Sequence, residues 1–313
     1  MNTTFYSNGK LLLTGEYGVL DGALSLAIPT KYGQLLSVKK NNTATINWTS
    51  VDEEGKTWFQ SEFSIRTNNT GELSIGIVAK ERLNNEALAT AETLVVILSE
   101  AQKLRAFLSK DSGFTVETKL TFPRKWGLGS SSTLINNIAD WAQVDAYTLL
   151  WNSFSGSAYD IACAKHNYPI TYKLHKGKPE VTKLAFDPPF KDQLYFIYLN
   201  KKQNSREGIA KYKSITLDKT DLLKTLSELT LQIAKCTHKE DFNTLLTKHE
   251  NLLSSYLQIP TQKESLFPDF TGAIKSLGAW GGDFILATGT PREMRYFKRK
   301  GYFTMIPYQE MVL

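Results

Sequence analysis

Residues suited to phosphate chemistry recur in four stretches. The densest is Pro123-Arg124-Lys125-Trp126-Gly127-Leu128-Gly129-Ser130-Ser131-Ser132-Thr133, followed by an apolar-periodic run from Leu134 to Ala139. Two glycines, four consecutive hydroxyls and an amphipathic run spell a tight loop opening into a helix. The first amides of a helix lack internal partners, and the dipole there is positive, so such a terminus suits an anion, phosphate above all. No Gly-Lys-Ser/Thr closes the loop as a Walker A motif would, and the spacing of a dinucleotide loop is missing. A plainer reading is a Ser-rich helix cap after a glycine turn.

The other three stretches are Gly9-Lys10 through Gly15-Glu16, Ser155-Gly156-Ser157-Ala158-Tyr159-Asp160, and Gly278 through Asp283. A nucleotide-triphosphate site needs a phosphate cradle, a cation, a metal ligand and an orienting carboxylate. Residues 127–132 supply the cradle, Lys10 the cation and Asp160 the carboxylate. Ser131 offers a hydroxyl to Mg²⁺, which binds oxygen ligands and keeps several waters.

The elements that must position these groups alternate along the chain. Residues 5–38 are strand-rich, broken by the glycine-punctuated loop 14–22, in which Asp21-Gly22 makes a turn. Residues 44–48 and 62–65 read as antiparallel strands. Leu88, Ala91, Leu94, Val95, Leu98, Ala101 and Leu104 share one face of a helix over 86–108. Strand 115–120 leads into the glycine loop, and helices follow at about 131–143 and from about 158. Pro188-Pro189 is the expected domain boundary, giving domains 1–188 and 189–313. Beyond it come strand 194–199, helices striped by Leu222, Leu226, Leu229, Ile233 and by Phe242, Leu245, Leu246, Leu252, Leu253, then strand 283–287. Thr290 and Glu293 form a capping box before a last helix, and a strand closes the chain at 302–306. This order predicts an α+β fold.

The chain has 313 residues, enough for about two domains. Its 37 basic against 31 acidic residues give a net charge of +6, unclustered. That is no nucleic-acid signature, and it suits a small anionic substrate. Cys163 and Cys236 stand in unrelated contexts, which argues against disulfides and zinc and for a reducing compartment. The four histidines show no ligand spacing. The start does not read as a signal peptide, and no apolar run reaches the ~18 residues of a membrane span. The expectation is a cytoplasmic protein, monomer or homodimer, without nucleic-acid or membrane partners.

The order of motifs resembles the GHMP kinase superfamily. Gly9-Lys10-Leu11-Leu12-Leu13-Thr14-Gly15-Glu16-Tyr17 is similar to that family's first motif, Pro123-x-x-x-Gly127-Leu128-Gly129-Ser130-Ser131-Ser132 to its phosphate loop, and Lys275 through Asp283 to its third motif. The branch it most resembles is that of mevalonate and phosphomevalonate kinases, and residues 16–21, 156–162 and 281–283 lean toward phosphomevalonate kinase. The resemblance implies an N-terminal domain like ribosomal protein S5 domain 2, a ferredoxin-like C-terminal domain, and use of ATP and Mg²⁺. It implies that Asp160 is the catalytic carboxylate and that Lys10 pairs with it or with the transferring phosphate. Gly127, Leu128, Gly129, Ser130, Ser131 and Ser132 would hold the nucleotide phosphates, with Ser131 on the metal. Glu16, Lys202, Ser205, Arg206, Gly278, Ala279, Gly281 and Gly282 would face the acceptor, mevalonate or phosphomevalonate first.

Three departures accompany the resemblance. Leu149 stands where the mevalonate kinase pattern has a metal-binding glutamate, leaving Asp21 and Asp145 as alternative ligands. Trp280 replaces a glycine of the third motif, and Ala158 a glycine before Asp160. Two alternatives therefore stay open: a nucleotide- or metabolite-binding regulator on the same fold, and a diphosphomevalonate decarboxylase-like enzyme.

Overall fold

A computed structural model describes residues 2–67, 71–202, 205–280 and 282–313, with Ser205 and Arg206 described by backbone only. The chain divides into two compact units. The first takes the segment ending at Gly9 with Tyr32–Arg124 and Gly129–Lys165, and the second takes Lys10–Lys31, Lys125–Leu128 and His166–Leu313. Pro188-Pro189 lies inside the second.

The strands are β1 (Asn2–Thr14), β2 (Ser25–Asn41), β3 (Thr45–Val51), β4 (Thr57–Thr67), β5 (Leu73–Ile77), β6 (Gly113–Leu120), β7 (Ile170–His175), β8 (Lys178–Lys183), β9 (Leu194–Tyr198), β10 (Ile274–Ser276), β11 (Phe284–Thr288) and β12 (Met305–Pro307). The helices are α1 (Asn85–Leu104), α2 (Ser130–Ala142), α3 (Ala146–Ser153), α4 (Tyr159–Lys165), α5 (Ser205–Ser214), α6 (Thr220–Ala234), α7 (Lys239–Leu257), α8 (Gln262–Leu266), α9 (Arg295–Arg299) and α10 (Tyr308–Met311). This is the α+β class expected from the sequence.

In the first unit the strands run β5-β4-β3-β6-β2. β3 and β4 pair antiparallel with Ile46 opposite Phe63, as the alternating pattern required. β3 and β6 run parallel, with Trp48 opposite Val116. The inward faces of these strands bury Trp48, Phe63 and Val116 with Leu98 of α1, Ile138 of α2 and Leu149 of α3. Helix α1 starts where Asn84 caps the Ala87 amide. It stops at Leu104, four residues before the expected end. Arg105 is extended, and Gln102 Oε1 accepts the amides of Phe107 and Leu108 at 3.0 and 2.9 Å. Helix α3, capped by Asp145, had no sequence expectation. Its 8 residues are too short for a periodic signal.

The second unit holds the N-terminal half of β2 against the β7–β8 hairpin. It also holds a four-stranded antiparallel sheet ordered β10-β11-β9-β12. Numbered along the chain, that sheet reads 2-3-1-4, with helices between its first two and last two strands. This is the split βαβ arrangement of ferredoxin-like domains. One face buries Ile197, Ile285, Phe267 and Phe297. Helices α6 and α7 bury Leu222, Leu226, Leu253 and Leu257 against Tyr17, Ala23, Tyr212 and Trp280. Among the described residues no helix is long and apolar enough to cross a membrane.

Candidate active site

The glycine loop does what its composition predicts. Gly127 and Gly129 both adopt positive φ, 67° and 89°. Gly129 is the N-cap of α2, and no side chain caps that helix. The plainer reading of the serines as caps therefore does not describe them. Ser132 Oγ instead donates backward to the Gly129 carbonyl at 2.8 Å, and Thr133 Oγ1 donates to Gln34 Oε1 at 2.7 Å. Helices α1 and α3 by contrast are closed by Asn84 and Asp145 side chains. Ser131 is exposed at the first turn of α2. Below α2, Ser7, Asn136 and Asn137 form a buried network that fixes the helix to β1 and β2. Ser7 Oγ donates to Asn137 Oδ1 at 2.8 Å, and Asn137 Nδ2 to the Gln34 carbonyl at 2.9 Å.

On the second unit's side of the loop, Lys10 holds residues 127–128 twice. Its amide donates to the Leu128 carbonyl at 2.9 Å and its ammonium to the Gly127 carbonyl at 3.0 Å. Gly127 is also where Asp283 lies close. A Cβ added there would stand 2.3 Å from the Asp283 carboxyl carbon. Trp126 lies edge-on against Phe284 at 5.4 Å, and Tyr198 donates to the Lys125 carbonyl at 3.1 Å. Burial and the nearby Asp283 charge push the Tyr198 hydroxyl up.

Asp160 belongs to the first unit, as do Gly129, Ser130, Ser131 and Ser132. It is the second residue of α4, half-buried, and its Oδ1 accepts the Ile161 amide at 3.1 Å. Ala158, two residues earlier, is buried with φ 65°, the left-handed conformation that glycine adopts without strain. Leu149 is fully buried in the core of the first unit. Asp145 caps α3 and pairs with Lys165 at 3.6 Å. Asp21 accepts from the Tyr212 hydroxyl at 2.7 Å and from Lys219 at 3.0 Å. Both alternative metal ligands thus have structural partners. Among the described residues no three His, Cys, Asp or Glu side chains group as a metal site.

The remaining candidates are in the second unit with Lys10, Gly127 and Leu128. Lys202 is exposed, and Ser205 and Arg206 open α5. Gly278 has φ 64° with open space about it, Ala279 is half-buried and Gly282 is buried. Gly281 lies outside the described residues. Trp280 is buried among Tyr17, Tyr212, Leu226 and Leu253 as an apolar anchor for its loop.

Glu16, expected to face an acceptor, is fully buried, and Lys275 donates to its Oε1. Lys275 also reaches Glu250 Oε1 at 3.0 Å, and Ser276 Oγ donates to Glu250 Oε2 at 2.8 Å. His249 Nε2 accepts the Gly15 amide at 3.0 Å. Burial pushes Glu16 up to about 7, against the pull of Lys275, and lowers His249 well below its usual value. Glu250 escaped sequence reasoning, His249 entered it only as a histidine without ligand spacing, and Lys275 only as the start of the third motif. The signal was there: on α7 the stripe Phe242, Leu246, Leu253, Leu257 passes through positions 249 and 250, where polar residues stand.

No family model and no curated protein sequence matches the chain. Solved structures do. The mevalonate kinase of Methanococcus jannaschii superposes at TM-score 0.66 with 15% identity, covering 98% of both chains. Streptococcus pneumoniae phosphomevalonate kinase, in complex with phosphomevalonate and AMPPNP, gives TM-score 0.67 and 14% identity over 97% of this chain and 99% of that one. Lactococcus lactis galactokinase, complexed with galactose, gives 0.63 and 15% over 95% and 88%. The fold is that of the GHMP kinases. Structures of a mevalonate kinase, a phosphomevalonate kinase and a galactokinase all share it.

Proposed function

We propose that this chain is a Mg·ATP-dependent small-molecule kinase. It moves the γ-phosphoryl group to a hydroxyl or phosphate of an anionic acceptor, with mevalonate and phosphomevalonate the leading candidates. The observation that carries the reading is the start of α2: a helix N-terminus with no side-chain cap, behind two left-handed glycines. Such an end offers aligned amides and a positive dipole to a polyphosphate.

In this reading the amides of residues 129–132 receive the β and γ phosphates. Lys10, already fixed on the loop carbonyl at Gly127, supplies positive charge. Asp160 orients the acceptor hydroxyl or takes its proton. Lys202, Ser205 and Arg206 meet the acceptor's anionic group, and Gly278 through Gly282 shape its pocket. Glu16 supports the first-motif turn from within. Catalysis is then chiefly positioning and charge stabilisation. Ser131 is exposed at the helix start, and its hydroxyl would hold a Mg²⁺ ion arriving with the nucleotide. That ion would neutralise charge developing on the phosphates.

Leu149, buried where the mevalonate kinase pattern has a metal-binding glutamate, favours one second reading, a nucleotide-binding regulator without turnover. ATP consumption over mevalonate, phosphomevalonate, homoserine and galactose separates the two. The kinase reading expects product with one acceptor, and a fall of about 10²-fold or more in Asp160→Asn and in Lys10→Met. ATP binding with no product from any acceptor supports the regulator, and full rate in Asp160→Asn removes Asp160 from its role.

A further inference from the structure

Four fully buried polar side chains of the second unit have no part in the chemistry above: Glu16 after β1, His249 and Glu250 on α7, and Lys275 on β10. Their charges do not balance. The Gly15 amide donates to His249 Nε2, so that nitrogen presents its lone pair, the ring proton sits on Nδ1, and the imidazole is neutral. Two carboxylates then face one ammonium. With both ionised, a site closed to solvent would hold an uncompensated negative charge, which is costly.

The hydrogen bonds show where the imbalance falls. Glu250 Oε2 accepts from Ser276 Oγ at 2.8 Å, and its Oε1 lies 3.0 Å from Lys275 Nζ. Glu16 Oε1 accepts from Lys275, but its Oε2 has no hydrogen-bond partner among the described residues and lies 3.6 Å from His249 Nε2. The His249 Nε2 lone pair is already taken by the Gly15 amide, so no donor compensates a charge on Oε2, and the excess negative charge is costliest there.

We propose that Glu16 is held as a neutral carboxylic acid, its proton on the unpartnered Oε2, and that this protonation, by balancing the buried charge, latches the Gly15–Tyr17 turn of the first motif onto α7 and β10. The proton comes from solvent, and its loss leaves the cluster with one unpaired negative charge. The titratable groups facing Glu16 are Lys275 from β10, His249 and Glu250 from α7, and Tyr17 beside it, whose hydroxyl is pushed up to about 12 by burial and the Glu16 charge. Glu16 itself, pushed up to about 7 by burial, agrees with the geometry. The latch goes beyond the kinase reading and stands whether or not the chain transfers phosphate.

The test is a pH titration of the whole protein labelled with ¹³C at the glutamate carboxyl carbons, followed by NMR. One glutamate is expected to titrate close to neutrality, and that signal is expected to vanish in Glu16→Gln. In Glu250→Gln, where one carboxylate faces Lys275, the Glu16 titration is expected to move down by at least one pH unit, a tenfold or greater change in proton affinity. The proposal is overturned if no glutamate of the folded wild type titrates above the ordinary carboxylate range. It is equally overturned if the neutral-range signal survives Glu16→Gln, or stays in place in Glu250→Gln. The last variant keeps the test open should Glu16→Gln not fold.

Discussion

At Gly127 the absence of a side chain is a spatial requirement as well as a conformational one. The residue has φ 67°, and a methyl group there would stand 2.3 Å from the Asp283 carboxyl carbon. Gly127→Ala is expected to cost about 1–3 kcal/mol, part from the left-handed backbone and part from the overlap. In the double variant with Asp283→Ala the overlap disappears, so the two losses, read from urea midpoints, should sum to less than their parts. A Gly127→Ala protein as stable as wild type would contradict this placement. The glycines and serines of the loop were legible in the sequence because helix-start chemistry is local. The Asp283 approach was not, because 156 positions of chain separate the partners and only the folded strand β11 brings them together. Lys10 was legible as a candidate, but its grip on the Gly127 carbonyl was not.

Elements followed their periodic signals where these were long. Strands β3 and β4 pair as the alternation of residues 44–48 and 62–65 required. Helix α1 is held at its start by one side chain, Asn84. Asn84→Ala is expected to cost about 1 kcal/mol, seen as a lower denaturation midpoint, with Asn84→Ser close to neutral. The third-motif turn depends on an apolar anchor, since Trp280 is buried among Tyr17, Tyr212, Leu226 and Leu253. Trp280→Ala is expected to destabilise by about 3–5 kcal/mol through the cavity it leaves, and a loss under 1 kcal/mol would show the ring is not core. Trp280 stood out in the sequence as a crowding residue, while its destination needed helices α6 and α7 in place. The polar interruption at His249-Glu250 was likewise visible in the α7 stripe, but its meaning depends on Glu16 and Lys275, which sit far away in the chain.

Across the whole molecule the pH dependence of stability follows from buried groups of opposite sense, Glu16 and Glu250 raised by burial and His249 lowered by it. Glu16 is raised from 4.5 to about 7, so its stabilisation is complete below 4.5 and is lost as pH rises through about 7. His249 is lowered from 6.5, so its contribution is present above 6.5 and is lost as pH falls. Below 6.5 His249 opposes the glutamates, and just above 6.5 the glutamate slope stands alone. Wild-type stability is therefore expected to decline from about 6.5 to 7.5, whereas in His249→Gln the decline should begin lower, from about 5, as read from denaturant midpoints. A wild type that gains stability from 6.5 to 7.5 would contradict the assignment. The α+β class and the motif order were readable along the chain. The 2-3-1-4 strand order was not, since β9, β10, β11 and β12 pair across long helical insertions.

The central claim is that the amides opening α2 hold a nucleotide's phosphates. A crystal structure with a non-hydrolysable ATP analogue and Mg²⁺ tests it most directly. The account predicts phosphate oxygens within hydrogen-bonding distance of the amides of residues 129–132, with the metal near Ser131. Analogue phosphates seated elsewhere, or an α2 start that stays bare at saturating nucleotide, would contradict it.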